Sequence, residues 1–174
     1  SGKDDIKEYL DFSKNPSAVN PAWNYVYSAN NQPEPIDGFL YPGYYLPEDR
    51  AKRIVQLLDS KPKWDKESAS KMIFDNTSSV APSVVKNLIQ ATDLSRLSET
   101  EKEAITILKE WKGSNNLEEI SPTIYNKWIY CSLKNTFQDE MGEKDFKQFL
   151  GTHIAKQLVA RQIANNQSLW WDNI

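Results

Sequence analysis

The chain has 174 residues, of which 39% are hydrophobic, 26% charged and 11% aromatic, and its formal net charge is −3. This is the composition of a globular domain that can bury about 70% of its extended-chain surface, and the charge gives no reason to expect nucleic acid or an anionic membrane as a partner. The single cysteine, Cys131, excludes an internal disulfide, no signal peptide is recognisable, and no apolar run approaches the roughly 20 residues of a membrane-spanning helix.

The first 46 residues carry no helical pattern. Residues 1–23 are polar, with one short apolar patch at Ile6, Tyr9, Leu10 and Phe12. The β-rich run Tyr25–Ala29 predicts a short strand. Residues 31–46 contain three Pro, two Gly and four aromatic residues, a composition typical of a loop. Because one strand cannot make a sheet, its partner strands must come from elsewhere.

From residue 47 to residue 165 the apolar residues recur at helical spacing. Helix-capping and helix-breaking residues divide this region into six predicted helices. The predicted helices run from Pro47 to Lys61, over about Lys66–Asp75, from Pro82 onward, from the Ser98–Glu101 capping box to Gly113, from Ser121 to Gly142, and over about Lys144–Asn165. Residues 166–174 form a tail that we expect to lead toward a sheet outside this chain.

Two positions suggest chemistry. Asn30-Asn31 follows the predicted strand, and although such a pair usually serves a turn, an Asn amide there can also donate to a developing oxyanion. Arg50 lies in the first turn of a predicted helix, where a cation is slightly disfavoured, and a residue placed against a local rule is mild evidence of function. Arg53, one turn later, is predicted to form a structural ion pair.

The remaining candidates have plainer explanations. His153 is the only histidine and lies in an apolar helix pattern, which predicts a partly buried side chain. Cys131 shares a helix with aromatic residues, which predicts a small buried hydrophobe. A Cys131–His153 dyad stays open as an alternative that needs the two side chains within hydrogen-bonding reach. The spacing that zinc ligands require is absent.

A family resemblance rests on the run NPAWNYVYSANNQP, which begins at Asn20, and on DRAKRI, which begins at Asp49. Together they resemble the middle of the catalytic β chain of penicillin acylases and acyl-homoserine lactone acylases, where Y-(I/V)-x-(S/T)-A-N-N-x-P precedes a loop and D-R-A-x-R-I. The segments MIFDNTSSVAPSVV, AITILKEWKG, IYNKWIYCSL and LWWD continue the resemblance loosely. Lys112 departs from it, since the family often has Asp there.

The resemblance implies that residues 1–174 are a single internal fragment of a β chain whose parent has the αββα N-terminal-nucleophile fold. The fragment itself is then mainly α (α+β), with the helical part and one or two strands of that fold. The family's Ser nucleophile is freed by autoproteolysis and is followed by Asn. Ser1 is followed by Gly-Lys-Asp-Asp and only 18 residues separate it from Asn20, so we expect the nucleophile to lie outside this chain and the fragment to be inactive.

Carried onto this sequence, the resemblance makes Asn30 the oxyanion donor and leaves Asn31 to turn geometry. Arg50 orients the catalytic Asn and the nucleophile's amino group. Asp37 is a candidate ligand of a structural Ca²⁺, and the alternative is that it serves an ordinary Asp-Gly turn. The resemblance implies no cofactor for the reaction itself. The implied partners are a small-molecule N-acyl substrate and the rest of the protein's own α and β chains, in a bacterial protein that is periplasmic or secreted.

The rival hypothesis is a helical module without catalysis, which uses exposed Trp side chains to bind a protein or a carbohydrate. The relative placement of Asn30 and Arg50 distinguishes the two. Convergence of their side chains at an open edge supports the enzyme, whereas separation of the two removes its geometry.

Overall fold

The computed structural model describes residues 11–165, 167, 168, 170 and 171. These residues are mainly helical, as the sequence predicts. Ser1, the apolar residues Ile6, Tyr9 and Leu10, and Asp172 lie outside the described residues. Two short 3₁₀ turns lie at Phe12–Lys14 and Leu94–Arg96. The α-helices are α1 (Asp49–Asp59), α2 (Lys66–Ile73), α3 (Ala81–Ala91), α4 (Glu99–Glu110), α5 (Ser121–Leu150) and α6 (His153–Ala164).

Local side-chain caps begin three of these helices, α2, α4 and α6. At α4 the predicted capping box is confirmed, because the Ser98 amide donates to the Glu101 carboxylate at 2.8 Å and the Glu101 amide donates to Ser98 Oγ. At α2 the Asp65 carboxylate accepts the Ser68 amide at 2.8 Å. Each interaction satisfies backbone N–H groups that the first turn of a helix leaves unpaired.

The C-terminal helices differ from the prediction in one boundary. The predicted break at Gly142 is present as a kink inside α5, where Gly142 has φ 75° and ψ 159°. The continuous helix predicted over Lys144–Asn165 is wrong, because Gly151 and Thr152 divide it. Thr152 Oγ1 accepts the amide of Ala155 and so caps α6. A Gly-Thr pair combines a helix terminator with an N-cap, and that local signal outweighs the apolar spacing around it.

The predicted strand at Tyr25–Ala29 does not form within the described residues. They contain no β-ladder, only an isolated bridge between Ile36 and Phe39. A strand is defined by its hydrogen-bonded neighbour, and this run has none among the described residues. Tyr25-Val26-Tyr27 therefore has the residue types of a strand, but no sheet among the described residues pairs with it.

The core lies around α3, which packs against α4 on one side and α6 on the other. The helical spacing predicts Val84, Val85, Leu88 and Ile89 on one face of α3, but these residues divide between two apolar clusters. The first cluster, shared with α5 and α6, contains Val84, Leu88, Leu133, Phe137, Phe146 and Val159. The second, shared with the end of α4, contains Ala81, Val85, Leu108 and Trp111.

Helix α2 corrects a further expectation. The helical spacing predicts that Ala69, Met72 and Ile73 face inward, but Ile73 is 80% exposed, and the residue after it, Phe74, is 81% exposed. The buried residue of α2 is Ser68, whose hydroxyl is engaged by the Asp65 cap. The helix is therefore held by its cap more than by an apolar face. No helix among the described residues combines the length and the apolar character needed to cross a membrane.

Candidate functional site

Asn30 lies at the base of a closed loop. Its carbonyl accepts the amide of Leu46 at 2.7 Å, and this hydrogen bond closes the loop of residues 30–46. Asn30 has φ 58°, in the left-handed region that Asn adopts more readily than most residues. The preceding residue, Ala29, is buried, whereas Asn30 is exposed. This bend therefore presents the Asn30 side chain at the surface on a fixed backbone.

Arg50, in the first turn of α1, meets this bend. Its Nη2 donates to Asn30 Oδ1 at 2.6 Å and to the Ala29 carbonyl at 2.7 Å. Because a guanidinium only donates, the atom facing it must be the amide oxygen of Asn30, and this assigns the orientation of that amide. Asn30 Nδ2 then points away from Arg50 and makes no hydrogen bond within the described residues. Arg50 therefore holds the Asn30 amide by its oxygen, and the amide N–H group stays available as a neutral donor.

The loop that Asn30 closes is tied to the rest of the molecule. Gln32 Nε2 donates to the Tyr41 carbonyl at 2.7 Å, and the Tyr41 hydroxyl donates to the Lys14 carbonyl. At the loop's far end, Gln157 Nε2 on α6 donates to the Tyr45 carbonyl at 2.7 Å. These contacts fix residues 30–46 against the helical body.

Asp49 anchors α1 to the start of α3, which sequence reasoning did not foresee. Its carboxylate accepts the Ser78 hydroxyl at 2.6 Å, the Ser79 amide at 2.7 Å and the Val80 amide at 3.1 Å. The N-cap of α3 is Val80, which has no side-chain acceptor. A signal was available, because a helix start that lacks Ser, Thr, Asp or Asn at its N-cap needs an acceptor from elsewhere.

Tyr125 of α5 lies close enough to Asp49 to sense its charge. Burial of the phenol, with a smaller contribution from the Asp49 carboxylate, raises the pKa of Tyr125 to about 12. The tyrosine ring also packs against Trp111, with the ring centroids 5.1 Å apart. Tyr125 therefore stays neutral at physiological pH, and its ring packs against the second apolar cluster.

Arg53, one turn after Arg50, forms the structural ion pair that was predicted. Its Nε and Nη2 donate to the two carboxylate oxygens of Asp75 at 2.8 and 2.6 Å. The Arg53 guanidinium holds the pKa of Asp75 below its usual value against the opposing effect of burial, and the Thr77 amide helps. The two side chains are 27% and 18% exposed. The pair thus fixes the middle of α1 to the segment before α3.

We expect Arg53→Ala to destabilise the chain by about 1–3 kcal/mol at neutral pH, because it leaves a partly buried carboxylate without its charged donors. The folded pKa of Asp75 is depressed, so its contribution is present above the unfolded value of about 3.9 and is lost as pH falls through the folded pKa. Asp75→Asn should therefore flatten the acid limb of stability. Urea unfolding between pH 7 and pH 2 measures both effects.

The matched control is Lys71→Ala, which removes the ion pair with Glu67 on α2. There the side chains are 76% and 78% exposed, and a pair this exposed contributes at most about 1 kcal/mol. Equal losses in Arg53→Ala and Lys71→Ala would contradict a structural role for the Arg53–Asp75 pair.

Asp37 and Gly38 form a two-residue turn between Ile36 and Phe39, which are joined by an isolated β-bridge. The φ angle is 51° at Asp37 and 77° at Gly38. This is the backbone expected of an Asp-Gly hairpin turn. Its carboxylate pairs with Lys14 at 2.5 Å. The described residues contain no group of three His, Cys, Asp or Glu that could hold a metal, and Ca²⁺ needs about six to eight oxygen ligands. Asp37 as one ligand of a structural Ca²⁺ stays a prediction.

The predictions for the histidine and the cysteine need correction. His153 is exposed, not partly buried, because the break at Gly151 places it in the first turn of α6, with its ring against Tyr44 at 6.0 Å between centroids. Cys131 is half-buried. No hydrogen bond joins the two within the described residues, so the Cys–His alternative lacks its required contact.

The tryptophans on which the non-catalytic alternative depends are divided between the surface and the core. Trp23 and Trp170 are exposed, but Trp111 is buried in the core. Its Nε1 donates to the Ser114 carbonyl at 2.7 Å. Lys112, which departs from the family pattern, is exposed. A solvated cation therefore stands where the resemblance predicts Asp.

Comparison with known proteins shows the family to which the chain belongs. The family model described as penicillin amidase matches residues 1–174. Penicillin G acylase of Escherichia coli is 29% identical over 152 residues, which cover 78% of this chain and 17% of that protein. Acyl-homoserine lactone acylase QuiP of Pseudomonas aeruginosa is 27% identical over 198 residues, which cover 99% of this chain and 22% of that protein. No solved structure gives a significant match.

The chain spans about a fifth of the length of these two curated relatives. The family match extends over both the N-terminal loop region and the helical region. The hydrogen-bonded pair of Asn30 and Arg50 lies within the aligned family region. The chain belongs to the penicillin amidase family.

Proposed function

We propose that the protein of which this chain is part hydrolyses a linear amide bond in an N-acyl compound. The observation that carries the proposal is the contact between Arg50 and Asn30 in a member of this family. It leaves Asn30 Nδ2 as an exposed neutral donor at a fixed position. Such a donor stabilises the negative oxygen of a tetrahedral intermediate without reorganising during the reaction.

In the proposed mechanism the nucleophile is an N-terminal Ser outside this chain. Its own α-amino group, with an ordinary pKa of about 7.7–8.0, takes the hydroxyl proton as the oxygen attacks the amide carbon. The carbonyl oxygen becomes an oxyanion held by Asn30 Nδ2 and by a backbone N–H from elsewhere. Collapse breaks the C–N bond, the amine leaves with the transferred proton, and water then hydrolyses the acyl-enzyme.

The names of the two relatives suggest the substrate class, an amide of the penicillin or the acyl-homoserine lactone type. Which acyl group and which amine bind is set by contacts outside these residues. The partners are then a small N-acyl molecule and the remainder of the protein's own α and β chains. We expect the 174 residues alone to be inactive, and the intact bacterial protein to be periplasmic or secreted.

Expression of the full-length protein, followed by N-terminal sequencing of every polypeptide recovered, tests the proposal. We expect two chains, the larger beginning with Ser, because autoproteolysis must free the α-amino group that acts as base. Replacing that Ser with Ala should leave one uncleaved, inactive chain. A wild-type protein that stays uncleaved would contradict the mechanism and would favour the non-catalytic module.

A further inference from the structure

Asp49 and Arg50 are neighbours in sequence but face different parts of the molecule. Arg50 reaches the Asn30 bend, whereas the Asp49 carboxylate takes three hydrogen bonds from residues 78–80 at the start of α3. Asp49 makes no ion pair with Lys or Arg among the described residues. Its charge is instead stabilised by the unpaired amides at the start of α3 and by its own place in the first turn of α1.

The segment that receives Asp49 is itself fixed to the helical body. The Ser78 amide donates to the Gly113 carbonyl at 2.8 Å, after the end of α4. Nearby, Asn76 Nδ2 donates to the Asn115 carbonyl, the Asn115 amide donates to Asn76 Oδ1, and Asn115 Nδ2 donates to the Asn76 carbonyl. A continuous path of short contacts therefore runs from the core to Asp49, and one residue further to Arg50.

We propose, on the basis of the function proposed above, that Asp49 is a positioning residue for the oxyanion donor. It does not touch the reacting atoms. It sets the start of α1 against α3, so that Arg50 meets Asn30 Oδ1 and holds Nδ2 toward the substrate. The Arg53–Asp75 pair fixes the helix one turn later, whereas Asp49 holds the first turn itself.

The test is a double-mutant cycle in the full-length enzyme, with steady-state hydrolysis of one N-acyl substrate as the assay. Asp49→Ala should lower kcat by about ten- to a hundredfold, since small misplacement of a catalytic group has effects of this size. KM should stay within about twofold, because substrate contacts are untouched. In an Arg50→Ala background, Asp49→Ala should lower kcat no further, because the route through Arg50 is already broken.

Asp65→Ala is the matched control. It removes the same residue type, and with it a carboxylate that accepts a backbone amide at the start of a helix, here α2. It should lower the melting temperature and leave kcat unchanged. An Asp49→Ala enzyme with unchanged kcat, or one whose loss multiplies fully with that of Arg50→Ala, would overturn the positioning role.

If the Asp49→Ala protein fails to fold or mature, two milder substitutions test the same role. Asp49→Asn keeps one acceptor oxygen, and Ser78→Ala removes one of the three hydrogen bonds. Both should give smaller losses of kcat in the same direction, and unchanged kcat in both would overturn the role. If Asn30→Ala and Arg50→Ala also leave kcat unchanged, the proposed function itself fails. If only these two lower kcat, the positioning role alone fails.

Discussion

Asn30→Ala is expected to lower kcat of the full-length enzyme by about 100- to 1,000-fold, the effect of removing one oxyanion donor from an acyl-transfer site. KM should change little, because Asn30 Nδ2 donates to charge that exists only in the transition state. Single-turnover assays should place the loss in the acylation step. The Asn31→Ala variant is the control, since Asn31 bonds to Ala29 N and the Gln32 carbonyl within its own turn, and it should keep activity within a few-fold.

Asn30→Asp separates the donor role from a merely structural one. An aspartate tolerates the left-handed backbone at this position and would bind Arg50 at least as strongly as Asn does. It has no N–H to offer an oxyanion, and it adds a negative charge beside one. If Asn30 stabilises the oxyanion, Asn30→Asp is as inactive as Asn30→Ala. Near-normal activity in Asn30→Asp would mean that Asn30 only holds Arg50.

The helical part of the fold was predictable because its signals are local. The capping box at Ser98 acts within one turn and appears in the structure as predicted, and the apolar residues Val84, Val85 and Leu88 of the α3 pattern are buried. The errors came where a signal depends on distant chain. Tyr25–Ala29 has strand propensity but no neighbouring strand to pair with among the described residues. His153 was misjudged because the break at Gly151 moved it into a first helical turn.

The site was predictable only in part. Nothing in the spacing of Asn30 and Arg50, 20 residues apart, requires their side chains to meet, and the resemblance alone paired them. The Asp49 anchor spans about 30 residues and joins two helices. Periodicity describes single elements, so a carboxylate that caps a different helix from its own escapes it. A cap missing from the start of α3 was the one local trace of this contact.

Gly113→Ala should be the most destabilising small substitution in the segment that supports the site. Gly113 has φ 93°, and a Cβ there would lie 2.1 Å from the Ser78 carbonyl oxygen. The backbone conformation alone costs a non-glycine residue about 1–3 kcal/mol, and the clash should add about 1–3 kcal/mol. The segment cannot move away freely, because the Ser78 amide also donates to the Gly113 carbonyl. Urea unfolding followed by circular dichroism measures the loss.

Gly38→Ala isolates the clash from the backbone strain. Gly38 has a similar φ of 77°, but a Cβ there would meet nothing within 4 Å, so only the same conformational cost of about 1–3 kcal/mol remains. If the two variants lose equal stability, the Ser78 segment has shifted to accommodate the methyl group. Since that segment carries the amides that hold Asp49, such a shift would still lower kcat in the full-length enzyme. A Gly113→Ala protein with full stability and full activity would show that this close approach supports neither.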